Sequence, residues 1–133
     1  MNLLCESGMP LAQFGVRALC KQEQDSRQKF GVFYTDAEDL VTSNIHRIDL
    51  PKDFPQDIYI TVDVDGLDPS IMPATGTPAP GGLGYYHTLH LIEHAAQGRR
   101  VVGIDIVEFA PNGHTAWDFT VAQITYSLMA TAL

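Results

Sequence analysis

Basic residues are scarce in this chain. Its 133 residues carry 8 Lys and Arg against 16 Asp and Glu, a net charge of −8, and no Lys or Arg follows Arg100. Without a basic stripe, binding to nucleic-acid phosphates or to anionic lipid is disfavoured. Cysteine is nearly absent. Cys5 and Cys20 form no CxxC pair; they are too few for a disulfide framework and read as free thiols of a reducing compartment. A membrane-spanning run is missing too, because the uncharged stretch Phe119 to Leu133 is too short and too polar. The start, Met1-Asn2-Leu3-Leu4-Cys5-Glu6, lacks the basic residues and long apolar run of a signal peptide. A soluble, cytoplasmic protein is expected. No Walker-type phosphate loop, GxSxG elbow or GxGxxG is present, so the common nucleotide and serine-hydrolase signatures are absent.

What remains is an ordinary globular composition, 45% hydrophobic and 18% charged, at about nine-tenths of a typical domain's length. A chain of this size can bury roughly two-thirds of its unfolded surface. Leu11 to Ala18 reads as a buried strand, Lys21 to Lys29 as a helix ending before Gly31, and Gly31 to Tyr34 as a second strand. Thr35-Asp36-Ala37-Glu38 matches a capping box at the start of a short helix. Ile58 to Val62 (IYITV) is β-branched and aromatic, a strand. From Gly66 to Gly84 there are five Gly and four Pro in nineteen residues, a density that leaves one long loop, and such loops in compact domains are usually functional. Tyr85 to Gln97 is helical up to Gly98, Val101 to Val107 is an apolar strand, and Asp118 onward is a closing helix. Alternating apolar strands and helices indicate an α/β fold with a parallel sheet covered on both faces.

The chemistry concentrates at Asp63-Val64-Asp65-Gly66, where the IYITV strand ends. Two carboxylates two residues apart on a strand share a face and resist joint ionisation unless a cation lies between them. Hard oxygen donors suit Mn²⁺ or Mg²⁺, and α/β proteins bind ligands at the C-terminal ends of their strands. The plainer alternative is a pair of aspartates capping a loop. Glu108 closes the next strand, with Asp105 three residues earlier and on the opposite side by simple alternation; strand-end acids are more often solvated termini than ligands. His90-Leu91-Ile92-Glu93-His94 matches the HxxEH pattern of inverted zinc proteases. It fixes only a few positions, with 39 residues left after His94, and an amphipathic helix bearing surface histidines ranks above it. The DxDG start of haloacid-dehalogenase-like phosphatases is touched by Asp63 to Gly66, but Leu67-Asp68-Pro69 follows where Thr-Leu belongs.

Taken together, Tyr59 to Leu83 (YITVDVDGLDPSIMPATGTPAPGGL) closely resembles the long signature of the ureohydrolases, the arginase and agmatinase family. Leu11 to Ala18 resembles the family's V-Q-x-G-I-R strand, Asp105 to Pro111 its D-[IV]-V-E-x-[NA]-P strand end, and Asp118 to Ala122 the agmatinase-type closing helix. The resemblance implies the C-terminal part of a three-layer α/β/α arginase-like fold, with residues 1–133 as the C-terminal portion of a single ureohydrolase domain whose N-terminal half is absent. It implies a site of two Mn²⁺ ions with Asp63 and Asp65 as ligands, the first bridging, and Glu108 and Thr77 in the wall that receives the substrate guanidinium. A metal-bridging hydroxide would attack the guanidinium carbon and release urea and an amine, a step of polyamine biosynthesis when the substrate is agmatine. A small guanidino substrate and a homo-oligomer, trimeric or hexameric, follow from the same resemblance.

The family's Gly-Gly-Asp-His and Asp-Ala-His-x-Asp ligand segments have no counterpart here, and none of His46, His87, His90, His94 and His114 stands at a family ligand position. Two aspartates cannot complete a Mn²⁺ coordination sphere, so the isolated chain is expected to be inactive. The alternative function is a non-catalytic remnant docking on a full-length paralogue through an exposed sheet edge. Replacing both His90 and His94 by Ala should leave the metal content of the purified chain unchanged; loss of bound zinc on elemental analysis would restore the protease reading.

Overall fold

The computed structural model describes residues 2–133, and Met1, the first residue of the start considered for a signal peptide, lies outside them. After a short helix α1 (Asn2–Glu6), strands β1 (Ala12–Phe14) and β2 (Phe33–Thr35) flank helix α2 (Lys21–Lys29). Helix α3 (Ala37–Thr42) leads to strand β3 (Asp57–Asp63), a 3-10 turn at Val64–Gly66 and the long loop. Helix α4 (Tyr85–Ala96), strand β4 (Arg100–Val107) and helix α5 (Thr115–Thr131) complete the chain. The fold is α/β, and both strand pairs are parallel: β1 with β2, and β3 with β4. Among the described residues no helix is long and apolar enough to cross a membrane.

The β1–β2 pair has helices on both faces. On one face, buried Arg27 of α2 donates from Nε to Gln13 Oε1 (2.7 Å) and from Nη1 to Asp36 Oδ1 (2.8 Å), and lies over the Tyr34 ring. This explains how a helix as polar as KQEQDSRQK is retained: one buried cation, not an apolar stripe, fixes it to the strands. On the other, Phe14 packs with Leu40 of α3, Leu83 and Leu91. The capping box expected at Thr35 and Glu38 does not form. Thr35 is still paired in β2, Asp36 becomes the N-cap, and its carboxylate is taken by Arg27. The reach-back occurs one helix earlier, where the Glu23 carboxylate accepts the Cys20 backbone N–H at 2.8 Å. Cys5 and Cys20 are both free thiols.

In β3–β4, Ile60 and Val62 lie opposite Ile104 and Ile106 and pack on Ile92 of α4 and on Ile124 and Leu128 of α5. The other face carries no helix among the described residues. Tyr59 is 60% exposed there, its ring over Gly103, and Val107 is also exposed. The two-sided cover expected from the apolar strands is therefore built for β1–β2 and open on one side of β3–β4. α5 begins three residues before the expected Asp118, at Thr115 with His114 as N-cap, and the first strand shortens to Ala12–Phe14. Gly98, at φ +72°, ends α4 as expected.

Two glycines separate close approach from mere proximity. A Cβ on Gly82 would fall 2.5 Å from the Leu67 carbonyl and the Asp68 nitrogen, which are backbone and cannot yield. A Cβ on Gly103 would meet only the Tyr59 ring, also at 2.5 Å, and that exposed side chain can swing away. Gly82→Ala should cost about 1–3 kcal/mol by the usual overpacking penalty, read from urea midpoints, and Gly103→Ala distinctly less. Equal losses would contradict this packing.

Candidate functional site

Parallel pairing puts the C-terminal ends of β3 and β4 side by side. Asp63, the last residue of β3, stands opposite Val107, the last of β4, so Glu108 leaves the sheet beside Asp63. Glu108 has left-handed backbone, φ +62°, a conformation that a non-glycine residue seldom adopts and that often marks a working site. It takes Glu108 off the strand's alternation and brings Oε2 next to Gly76 of the long loop. That loop is tied to the same strand end by the Thr75–Phe109 bridge and by the Ala110 N–H to Ala74 carbonyl bond of 2.9 Å.

Asp63 caps the 3-10 turn, its Oδ1 accepting the Asp65 N–H at 3.0 Å. Thr77 donates its hydroxyl to Asp65 Oδ2 at 2.6 Å. Asp63, Asp65, Thr77 and Glu108, all singled out from the sequence, thus gather at one end of the sheet. Bonds to the main chain of the loop hold them there. Asp68 accepts the backbone N–H groups of Ser70, Gly81 and Gly82, which keeps its carboxyl below the usual carboxylate range, with the Ser70 bonds the largest cause. The loop closes on the turn through Leu83 N–H to Gly66 carbonyl and Asp68 N–H to Leu83 carbonyl, each 2.9 Å. Arg17, just past β1, donates to the backbone carbonyls of Asp65 and Ala79 and so links the first strand pair to the acidic turn. Arg17, Asp68 and Gly82 lie inside the sequence stretches that resemble the ureohydrolases, but their roles act through main-chain atoms, which residue type does not reveal.

The electrostatics are those of an uncompensated acidic group. Partial desolvation at the strand end, followed by the charges of Asp65 and Glu108, pushes the Asp63 carboxyl above its ordinary 3.8, opposed by the Asp65 N–H. Asp63, Thr77 and Glu108 are exposed and Asp65 is half-buried, so the site is an open surface, not a cleft. Among the described residues no three His, Cys, Asp or Glu side chains converge closely enough to hold a metal ion. Two concave surfaces, one around Arg47, His94 and Arg99 and one around Cys5, Glu23 and Arg27, share no residue with it. Asp105 lies on the open face, opposite Thr61; its Oδ2 accepts the Tyr59 hydroxyl at 3.0 Å and its buried Oδ1 has no partner. His90 and His94 occupy α4, apart from the acidic turn.

The sequence model of the Arginase family matches residues 2–132. The chain belongs to the arginase family. It is 40% identical over 128 residues to N(1)-aminopropylagmatine ureohydrolase of Thermus thermophilus, covering 92% of this chain and 42% of that protein. It is 34% identical over 103 residues to the agmatinase of Pyrococcus horikoshii, covering 77% of this chain and 36% of that one. A T. brucei arginase-like triple mutant bound with Mn²⁺ superposes with a TM-score of 0.85 at 25% identity, over 98% of this chain and 45% of that structure. The arginase-like α/β fold is thus shared, while the chain spans about two-fifths of the length of these relatives.

Because Asp63 holds its proton more tightly in the folded state, its negative charge opposes folding once pH rises above the ordinary 3.8 and through the raised value; well below 3.8 it has no effect. Asp63→Asn, which keeps an oxygen for the Asp65 N–H, should therefore stabilise the chain at pH 7 in chelator. After solvent screening the gain should be no more than about 1 kcal/mol, with none at pH 3. Urea melts at the two pH values check it, and a loss at pH 7 would contradict it.

Proposed function

We propose that this chain is the C-terminal portion of an agmatinase-type ureohydrolase, a hydrolase acting on the C–N bond of a guanidino compound. The observation that carries the reading is the juxtaposition of Asp63 and Glu108 at neighbouring strand ends, with Asp65 held beside them by Thr77. The donor set fits Mn²⁺ in kind: hard carboxylate oxygens, mutually repelling and in need of a cation. It does not fit in number, since two aspartates fill only part of one coordination sphere.

Asp63 and Asp65 would be the ligands this chain contributes to a manganese centre. When bound, such ions supply Lewis-acid activation of water and stabilise charge developing on the substrate. The chain's own residues do the rest. Glu108 would pair with the flat cation of the guanidinium through charge-assisted hydrogen bonds, and Thr77 would border the same wall while orienting Asp65. The left-handed backbone of Glu108 supports this role, because it turns the carboxylate towards the Gly76 loop and the acidic turn.

Relatives named for agmatine and N(1)-aminopropylagmatine favour a decarboxylated guanidino substrate over arginine; guanidinobutyrate remains within the same chemistry. A cytoplasmic setting, a homo-oligomer and the remaining metal ligands supplied by a further segment belong to this reading. A second reading, a non-catalytic subunit docking on a longer paralogue, is favoured by the uncovered β3–β4 face with its exposed Tyr59 and Val107.

The test is a urea assay on a panel of guanidino compounds with Mn²⁺, using the chain alone and the chain mixed with the N-terminal portion of the Thermus relative. Negligible urea from the chain alone and restored release from the mixture are expected, with Glu108→Gln lowering the restored rate at least about a hundredfold. Normal turnover by the chain alone would overturn the incompleteness of the site. Binding without any activity in the mixture would favour the docking subunit.

A further inference from the structure

The HxxEH run stands apart from the acidic turn, yet its first histidine has company. Three imidazoles from two segments meet where residues 43–48 lie on α4: the His46 ring is 4.3 Å from that of His87 and 5.9 Å from that of His90, centroid to centroid. Their hydrogen bonds fix the protons. His87 Nε2 faces the Ile45 carbonyl and His46 Nε2 faces the Asn44 side-chain oxygen at 2.9 Å, so both nitrogens must donate. The other ring nitrogen of His46, Nδ1, is buried with no partner.

We infer that His87, packed between the rings of His46 and His90, forms a pH-sensitive clasp, closed while its imidazole is neutral, that releases residues 43–48 from α4 when it takes up a proton. The segment has little else to hold it there. Its apolar residues Ile45 and Ile48 pack on Leu40, Leu83 and Leu91, Asn44 turns through left-handed backbone at φ +52°, and the Ile45 N–H donates to the Leu40 carbonyl at 2.9 Å.

Protonation of His87 leaves its bond to the Ile45 carbonyl intact but puts a cation against two other imidazoles in a half-dry site. The groups acting on His87 are the rings of His46, from the segment, and His90, from its own helix; the packing from α3 and the loop is leucine. Among the described residues none of the three histidines has a carboxylate at ion-pair distance. Burial, then the two neighbouring rings, holds His87 below the ordinary 6.5. The folded form therefore binds fewer protons than the released form, and the closed state weakens as pH falls below 6.5. The clasp also backs the acidic turn, since Leu83 donates to the Gly66 carbonyl. The inference does not depend on the Mn²⁺ reading.

Hydrogen exchange at the Ile45 amide, corrected for intrinsic rate, tests it between pH 7.5 and 5.0. Protection should fall as pH drops below 6.5, by no more than about tenfold per pH unit for the one proton taken up by His87, while amides of β3 stay protected. His87→Gln, whose amide can still donate to the Ile45 carbonyl, should flatten the profile. Should that variant fail to fold, the paired His46→Gln and His90→Gln variant, which removes the two rings acting on His87, should weaken the pH dependence. Protection of Ile45 independent of pH, loss of β3 protection in step with it, or a profile that the folded variant leaves unchanged would overturn the clasp.

Discussion

The seven-residue parallel ladder between β3 and β4 is the constraint on which the site rests. Its register ends with Asp63 against Val107, and a parallel ladder leaves no freedom in which ends meet. Carboxylates that close the two strands are brought together whether or not a cation is present to compensate them. A slip of one residue would turn Ile60, Val62, Ile104 and Ile106 off the core packed by α4 and α5, so the hydrophobic core enforces the acidic juxtaposition.

Around that ladder the chain spends its polar bonds on the backbone of one loop. Asp68 gathers three N–H groups, Leu83 bridges to Leu67 through bonds with Gly66 and Asp68, and Arg17 reaches from the other strand pair to carbonyls on both sides of Thr77. The carboxylates are consequently held while remaining open to solvent. That openness, the uncovered face of β3–β4 and the division of the strands into two separate pairs go with a chain that spans about two-fifths of the length of its relatives. α5 also carries uncovered apolar surface. A helix with Asp118 as its single charge buries Ile124 and Leu128 but exposes Phe119, Tyr126 and Met129, more apolar surface than a solvent-facing helix normally carries.

The elements legible in the sequence were those whose signal is local. IYITV and the run to Val107 have β-branched density, Lys21–Lys29 has helix formers followed by glycine, and Gly98 marks a helix end. Asp63, Asp65, Thr77 and Glu108 were legible as a set through the spacing of the ureohydrolase-like signature. Less legible were features decided by long-range partners. Arg27 claims Asp36 and displaces the capping box, Gly82 must admit the Leu67 and Asp68 backbone, and His46 meets His87 across 40 intervening positions of which no periodicity gives notice. The open face of β3–β4 was misread for a related reason. Apolar alternation reports what a strand is built to bury, not which cover lies within the same stretch of chain.

Paramagnetic broadening of backbone amides by Mn²⁺ added to the chain alone tests the central claim most directly, because it reports where the cation goes without requiring catalysis. If the paired strand ends form one side of a metal centre, the signals of residues 63–66, 77 and 108 broaden first. They should do so weakly and without saturation at concentrations that fill a complete two-metal site. First broadening at residues 90–94, or uniform broadening across the acidic surface, would contradict the account.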